Sequence, residues 1–324
     1  MEFSQDFLPK AIQIEKPMAK VKVWMRAARP RTVLLSFSGV LLGGFMAFDQ
    51  LRSLSLSKGR PCLVILFAAL TAVLLQILSN LANDYGDFKK GTDNTHRVGP
   101  QREMQSGSIT EKEMKRGLVV TILLCLFSGG LLLLATFMAH KRLMDVYLFA
   151  ALGVAAILAA VFYTLGKRPY GYRGLGDLFC FLFFGWAAVA GTYYLATPKF
   201  DFCVFLPASA MGFLSNAVLN INNMRDYEND KASGKNSLVV KLGLNKAFVY
   251  HCFLIIGTFV CLTVYLVLQH AAIYSYMFLW LFLLFFKDLK AIKTTQPERL
   301  DPFLGRQVKH TFLLAVVFGG LLLL

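Results

Sequence analysis

The chain has 324 residues, of which 56% are hydrophobic and only 16% charged, against about 25% charged in a soluble domain. That balance excludes a disordered chain, which is poor in apolar residues, and an ordinary soluble enzyme. The net charge of +15 sits in loops between apolar runs and forms no basic stripe interleaved with aromatics, so the expected partner is a lipid bilayer and not nucleic acid.

A basic, partly amphipathic segment covers residues 1–31, with Lys10, Lys16, Lys20, Lys22, Arg26, Arg29 and Arg31. Nine apolar runs follow, at Thr32–Phe48, Cys62–Asn83, Leu118–Ala139, Val146–Leu165, Leu175–Ala196, Phe202–Asn223, Ala247–Leu268, Ala271–Phe286 and Thr311–Leu324. Most approach the ~20 residues that a helix needs to cross a bilayer. The expected fold is therefore all-α and polytopic, with about nine transmembrane helices around a central cavity in a single domain over residues 32–324. The first run reads as an anchor and not a cleaved signal, because eight more follow it. The six cysteines lie in or beside apolar runs with no CxxC spacing, and the five histidines are scattered. Neither set suggests a zinc site or a disulfide framework.

Orientation follows from charge. Of the 34 Lys and Arg, 28 fall in the N-terminal segment and in the loops after the even-numbered runs. The positive-inside bias places those parts in the cytoplasm.

The 19 Asp and Glu are few enough for their placement to be informative. The second run ends in Asn83-Asp84-Tyr85-Gly86-Asp87, and the sixth in Asn222-Asn223-Met224-Arg225-Asp226-Tyr227-Glu228-Asn229-Asp230. Asn83 aligns with Asn222 and Asp87 with Asp226, four spans apart, which suggests two pseudo-repeated halves facing each other. The four-residue spacing sets each group along one helix face. Acids so close to hydrocarbon are costly unless neutralised, and carboxylates converging on one space need a cation between them. Oxygen ligands of this kind favour Mg²⁺, bound through a few carboxylates and substrate phosphates.

A phosphorylated substrate also needs protein cations. Arg97, Arg102, Lys167 and Arg225 stand beside these motifs and the Tyr163–Arg173 loop, and are the candidate phosphate ligands. Lys89, Lys90, Arg168 and Arg173 read instead as products of the positive-inside bias. A secondary transporter is the alternative from another class, since transporters also combine repeats with intramembrane acids. Acids at the ends of runs beside basic loops favour an enzyme.

At these residues the sequence resembles the UbiA superfamily of intramembrane aromatic prenyltransferases. The first motif is similar to the family's Asn-Asp-x-x-Asp form and the second to its Asp-x-x-x-Asp form. Asn83-Asp-Tyr-Gly-Asp87 with Asp93, Arg97-Val-Gly-Pro-Gln-Arg102, and Tyr163-Thr164 running into Pro169-Tyr-Gly-Tyr-Arg-Gly-Leu-Gly-Asp177 are similar to the branch acting on 1,4-dihydroxy-2-naphthoate in menaquinone synthesis. There are departures: Gly91 stands where many relatives have the second Asp of the first motif, and Phe184-Gly185-Trp186 replaces Gly-Pro.

The resemblance implies a Mg²⁺-dependent enzyme of the bacterial inner membrane. It would transfer a polyprenyl group from polyprenyl diphosphate to 1,4-dihydroxy-2-naphthoate, releasing diphosphate and CO₂ and giving demethylmenaquinol. Other acceptors known in the superfamily, 4-hydroxybenzoate and homogentisate, remain open. The implied metal ligands are Asp87, Asp93, Asn83, Asp226, Asp230 and Asn222. The implied diphosphate ligands are Asn83, Asn222, Arg97, Arg102, Lys167 and Arg225. Tyr163, heading its motif, is implied to contact the diphosphate or screen an allylic cation, and with Asp87, Asp226, Asp230 and Lys167 completes the expected catalytic set.

Overall fold

Short polar signals set the helix limits. The computed structural model describes residues 17–55, 59–94 and 98–324, and among these no strand is present. Helix α1 (Pro17–Ala28) carries the basic N-terminal charge. Acids near the start of the second hairpin hold it down, through Lys20–Glu113 at 2.9 Å and Arg26–Glu103 at 2.6 Å. Arg29 adopts a left-handed conformation, and Pro30 then opens α2 (Pro30–Ser53), the position where a missing N–H costs nothing. Helix α3 spans Gly59–Lys90. Helix α4 (Glu111–His140) starts at a capping box in which the Thr110 side chain accepts from the Glu113 N–H and Glu113 reaches back to Thr110. Helix α5 follows at Leu143–Phe162 and α6 at Gly176–Ala196.

Helix α7 (Phe205–Arg225) ends in two short helices, α8 (Tyr227–Ala232) and α9 (Leu238–Leu242), before α10 (Leu244–Leu268). Helices α11 (Phe282–Thr294) and α12 (Asp301–Leu322) close the bundle.

Among the described residues seven helices are long and apolar enough to cross a membrane: α2, α3, α4, α5, α6, α7 with its lead-in, and α10. The chain is a multi-pass membrane protein. Of the nine expected spans, the eighth folds as a 3₁₀ segment at Ile273–Leu281 running into α11. The ninth begins at Asp301, ten residues before the apolar run at Thr311. Hydropathy misses its first half because that half is polar, with several of its charged groups paired to other elements. Gln307 is buried, Asp301 binds Arg225 at 2.6 Å, and Arg306 and His310 face Asp288 at 3.3 and 3.4 Å.

Helix α7 is the interior element, with 61% of its apolar window buried, whereas α5 buries 11% and lies on the rim. Large apolar side chains such as Phe127, Leu148 and Leu152 stand exposed on α4 and α5, the surface that lipid covers. Close approach of α6 to α7 depends on Gly185, where an added Cβ would lie 2.5 Å from the Ala208 carbonyl oxygen. Around it α6 widens into a π-helical stretch, Phe181–Gly191. The two halves correspond: α3 packs against α4 and α7 against α10, each motif helix against the next span. A buried asparagine near the end of each motif helix also donates to a neighbouring carbonyl, Asn80 to Ala28 at 2.8 Å and Asn220 to Ala247 at 3.0 Å.

Candidate active site

Both acidic motifs emerge at helix C-termini, where the macrodipole disfavours negative charge, so each acid there needs a partner. Asp87 lies in the last turn of α3. Gly91, at φ +70°, reverses the chain, and the N–H groups of Thr92 and Asp93 donate back to the Asp87 carbonyl at 3.0 and 3.4 Å. That turn carries Asp93 toward Asp87 and buries both. Across the bundle, Asp226 caps the end of α7, and the Asp230 N–H donates to the Asp226 carbonyl at 2.8 Å.

The motifs meet. The Asn229 side chain donates to the Thr92 carbonyl at 3.0 Å, tying the loop after the first motif to the second. The Tyr163–Asp177 loop supplies the third wall. Its Tyr172 hydroxyl donates to Asp87 Oδ1 at 2.7 Å and lies 2.6 Å from the Thr92 hydroxyl. The Tyr172 carbonyl accepts from the Asn236 N–H at 3.1 Å, so this loop is fastened to the segment after α8. Burial, then the Asp87 charge, pushes the Tyr172 hydroxyl well above the ordinary phenol range, which keeps it a donor.

A buried lysine occupies the centre. Lys235 Nζ lies 3.5 Å from Asp230 Oδ1 and 5.7 Å from the centroid of the Tyr172 ring. Burial works against its charge, but Asp230 and Asp87 hold it above the usual lysine range. Asp230 moves the other way from a normal carboxylate. Burial pushes it up to about 6; Lys235 opposes the rise, and Asp226 and Asp87 add to it. Asp87 and Asp230, from opposite halves of the bundle, thus both act on the one buried ammonium group.

Tyr163 caps α5 and stands edge-on to Tyr170 with ring centroids 5.3 Å apart. Its carbonyl accepts from the Gly171 N–H at 3.0 Å. Gly176 makes room for its hydroxyl, since a Cβ there would lie 3.0 Å from that oxygen. Gly86 performs the same service beside Asp87: a Cβ would fall 2.5 Å from Thr164 Oγ1. Thr164 in turn donates to the Ala82 carbonyl at 2.9 Å, locking the Tyr163 loop onto α3.

Four expected phosphate ligands separate here. Lys167 is exposed and lines an open cavity of about 450 Å³ with Lys90, Arg168, Pro169, Tyr172 and Arg173. Lys90, Arg168 and Arg173, expected to be merely interfacial, therefore share that mouth with Lys167. Arg225, expected as a phosphate ligand, faces acids of its own chain. It is buried, it donates to both Asp226 oxygens at 2.9 and 2.8 Å, to Asn222 Oδ1 at 2.9 Å and to Asp301 at 2.6 Å. Arg102 also turns to an acid, with its Nε 3.5 Å from Asp84, which Arg29 holds as well. Asp84, three residues before Asp87 on α3, is thereby tied to Arg29 at the α1–α2 junction. Arg97 lies outside the described residues.

Tyr172 and Lys235 were missed. Tyr172 lies within the Pro169–Asp177 stretch that carries the resemblance, whereas the only sequence signal of Lys235 is its position in the loop after the sixth run.

The chamber's donor set fits a hard cation. Among the described residues, Asp230 Oδ2 and Asn83 Oδ1 are buried oxygens with no hydrogen-bond partner, and such atoms are costly unless something binds them. Among the described residues no three His, Cys, Asp or Glu converge as a closed metal cage.

The fold and the site together define an intramembrane helical bundle with an acidic chamber at one end and a basic mouth beside it. Over residues 36–314 the chain matches the model of the UbiA prenyltransferase family, and it belongs to that family; it is a membrane prenyltransferase. It is 42% identical over 305 residues to the 1,4-dihydroxy-2-naphthoate octaprenyltransferase of Escherichia coli, covering 94% of this chain and 96% of that protein. To the Haemophilus influenzae protein of the same name it is 40% identical over 309 residues, covering 94% and 97%. A UbiA homologue from Archaeoglobus fulgidus, solved bound to GPP and Mg²⁺, shares the fold with a TM-score of 0.64 at 14% identity, over 93% of this chain and 100% of that one.

Proposed function

We propose that the chain transfers a polyprenyl group from polyprenyl diphosphate to 1,4-dihydroxy-2-naphthoate. The relatives' names point to an octaprenyl donor. The carrying observation is the meeting of the two acidic motifs through Asn229 and Thr92, in a chain about two-fifths identical to naphthoate enzymes over nearly its whole length. Mg²⁺ would be held by Asp87, Asp226 and Asp230 with Asn83, Asn222 and Asp93, and when bound would supply charge to the departing diphosphate.

The chain's own residues do the rest. Tyr172 orients the Asp87 carboxylate. Arg225 fixes Asp226 and Asn222 in place, so the second motif is set before substrate enters. Lys167 at the mouth attracts the diphosphate and stabilises its charge as the allylic C–O bond breaks, the electron pair leaving with oxygen. Tyr163 and Tyr170 line the chamber with rings that exclude water from the allylic cation. The naphthoate ring carbon bearing the carboxylate then forms the new C–C bond. Loss of CO₂ returns its bonding pair to the ring and yields the prenylated naphthoquinol. The apolar spans suit the long donor tail, and the motif end of the bundle faces the cytoplasm of a bacterial inner membrane.

The test is stoichiometry. Detergent-solubilised protein with octaprenyl diphosphate, dihydroxynaphthoate and Mg²⁺ should release diphosphate and CO₂ one for one. Prenylation of 4-hydroxybenzoate in place of naphthoate would overturn the acceptor; no Mg²⁺-dependent diphosphate release from any aromatic pairing would overturn the reaction.

A further inference from the structure

We infer that Lys235 is a resident cation that keeps divalent metal out of the empty chamber, so that metal and diphosphate enter together. The inference rests on reading the chamber as a metal–diphosphate site. Lys235 is buried, paired with Asp230 Oδ1 at 3.5 Å, and lies over the Tyr172 ring. Its backbone N–H also donates to the Asp230 carbonyl at 2.8 Å, so the short loop from Asp230 holds the ammonium group where it is. Asp87, from the other half of the bundle, lies within electrostatic reach of the same ammonium.

One lysine therefore serves acids from both halves, but incompletely: Asp230 Oδ2 is buried without a partner among the described residues. A divalent ion approaching alone meets a positive charge already on its ligands. The same ion arriving with diphosphate brings anionic oxygens that Lys235 can bind in exchange for Asp230, so the lysine opposes bare metal and favours the loaded pair. Lysine suits this exchange because its ammonium is a flexible point charge and not a fixed fork.

The experiment titrates full-length solubilised protein with Mn²⁺, read by electron paramagnetic resonance, with and without inorganic pyrophosphate and with no prenyl substrate. Wild type should bind Mn²⁺ at least about tenfold more tightly with pyrophosphate than without. Lys235→Met should bind bare Mn²⁺ about tenfold or more tighter than wild type, as expected when a like charge within a few ångströms is removed, and should lose most of the pyrophosphate effect. Lys235→Arg should stay close to wild type. Folded Lys235→Met with unchanged or weaker bare-metal binding overturns the inference. So does wild type that binds Mn²⁺ equally well with and without pyrophosphate, a result that stands even if Lys235→Met fails to fold. None of these readouts uses prenyl transfer, so the acceptor assignment fails or survives separately.

Discussion

Replacing Tyr172 with phenylalanine removes one oxygen and leaves the ring that faces Lys90 at 5.3 Å and Lys235 at 5.7 Å. That oxygen donates to Asp87 at 2.7 Å and meets the Thr92 hydroxyl at 2.6 Å. A hydrogen bond to a charged group contributes about 1.5–3 kcal/mol, and each ~1.4 kcal/mol is a factor of ten. If the bond holds Asp87 in its metal-binding orientation, kcat/KM should fall roughly 10- to 100-fold. The deficit should narrow as Mg²⁺ is raised, because a mispositioned ligand weakens metal binding first. Initial rates of diphosphate release across a Mg²⁺ series measure this, with thermal melting in detergent alongside. A rate within twofold of wild type at limiting Mg²⁺ would refute the reasoning. So would a rate loss that tracks a fall in melting temperature and ignores Mg²⁺, since that marks the hydroxyl as a packing element only.

Asp87→Asn and Asp230→Asn should each lower turnover at least about a hundredfold while eluting as folded protein on size-exclusion chromatography; activity surviving in both would remove the acids from the chemistry. Arg225→Met should behave differently, breaking the buried ion pair with Asp226 at a cost of about 3–5 kcal/mol. Its yield of monodisperse protein should collapse, whereas a pure phosphate ligand would lose only substrate affinity. Gly86→Ala forces a Cβ to 2.5 Å from Thr164 Oγ1 and should destabilise by about 1–3 kcal/mol, as overpacking does. Because Thr164 anchors the Tyr163 loop, the KM for the prenyl donor should rise with it.

The acidic motifs were legible because acids are scarce and four residues apart, and because two copies align. What they pair with was not. An arginine beside an aspartate reads equally as a phosphate ligand or as its counter-ion, and only packing separates the two. Arg225 donates to Asp301, 76 residues away, as well as to Asp226, a pairing that no local spacing announces. Tyr172 and Lys235 act through contacts with residues 85 and 5 positions distant, on loops that carry no periodicity. The spans were read from apolar runs, and the reading faltered at the last helix. The first turns of α12 are polar because Asp301, Arg306 and His310 pair with groups on other elements, and hydropathy registers the helix only from Thr311.

The long-range bond from Arg225 to Asp301 has a bearing on biogenesis. A ribosome delivers Arg225 and Asp226 to the membrane well before the first turn of the last helix exists, so one guanidinium nitrogen waits without its acceptor while the rest of the bundle assembles. The ion-pair shell of the second acidic motif is therefore completed by the last helix described, and a nascent chain stalled before that helix would be inserted yet electrostatically unfinished.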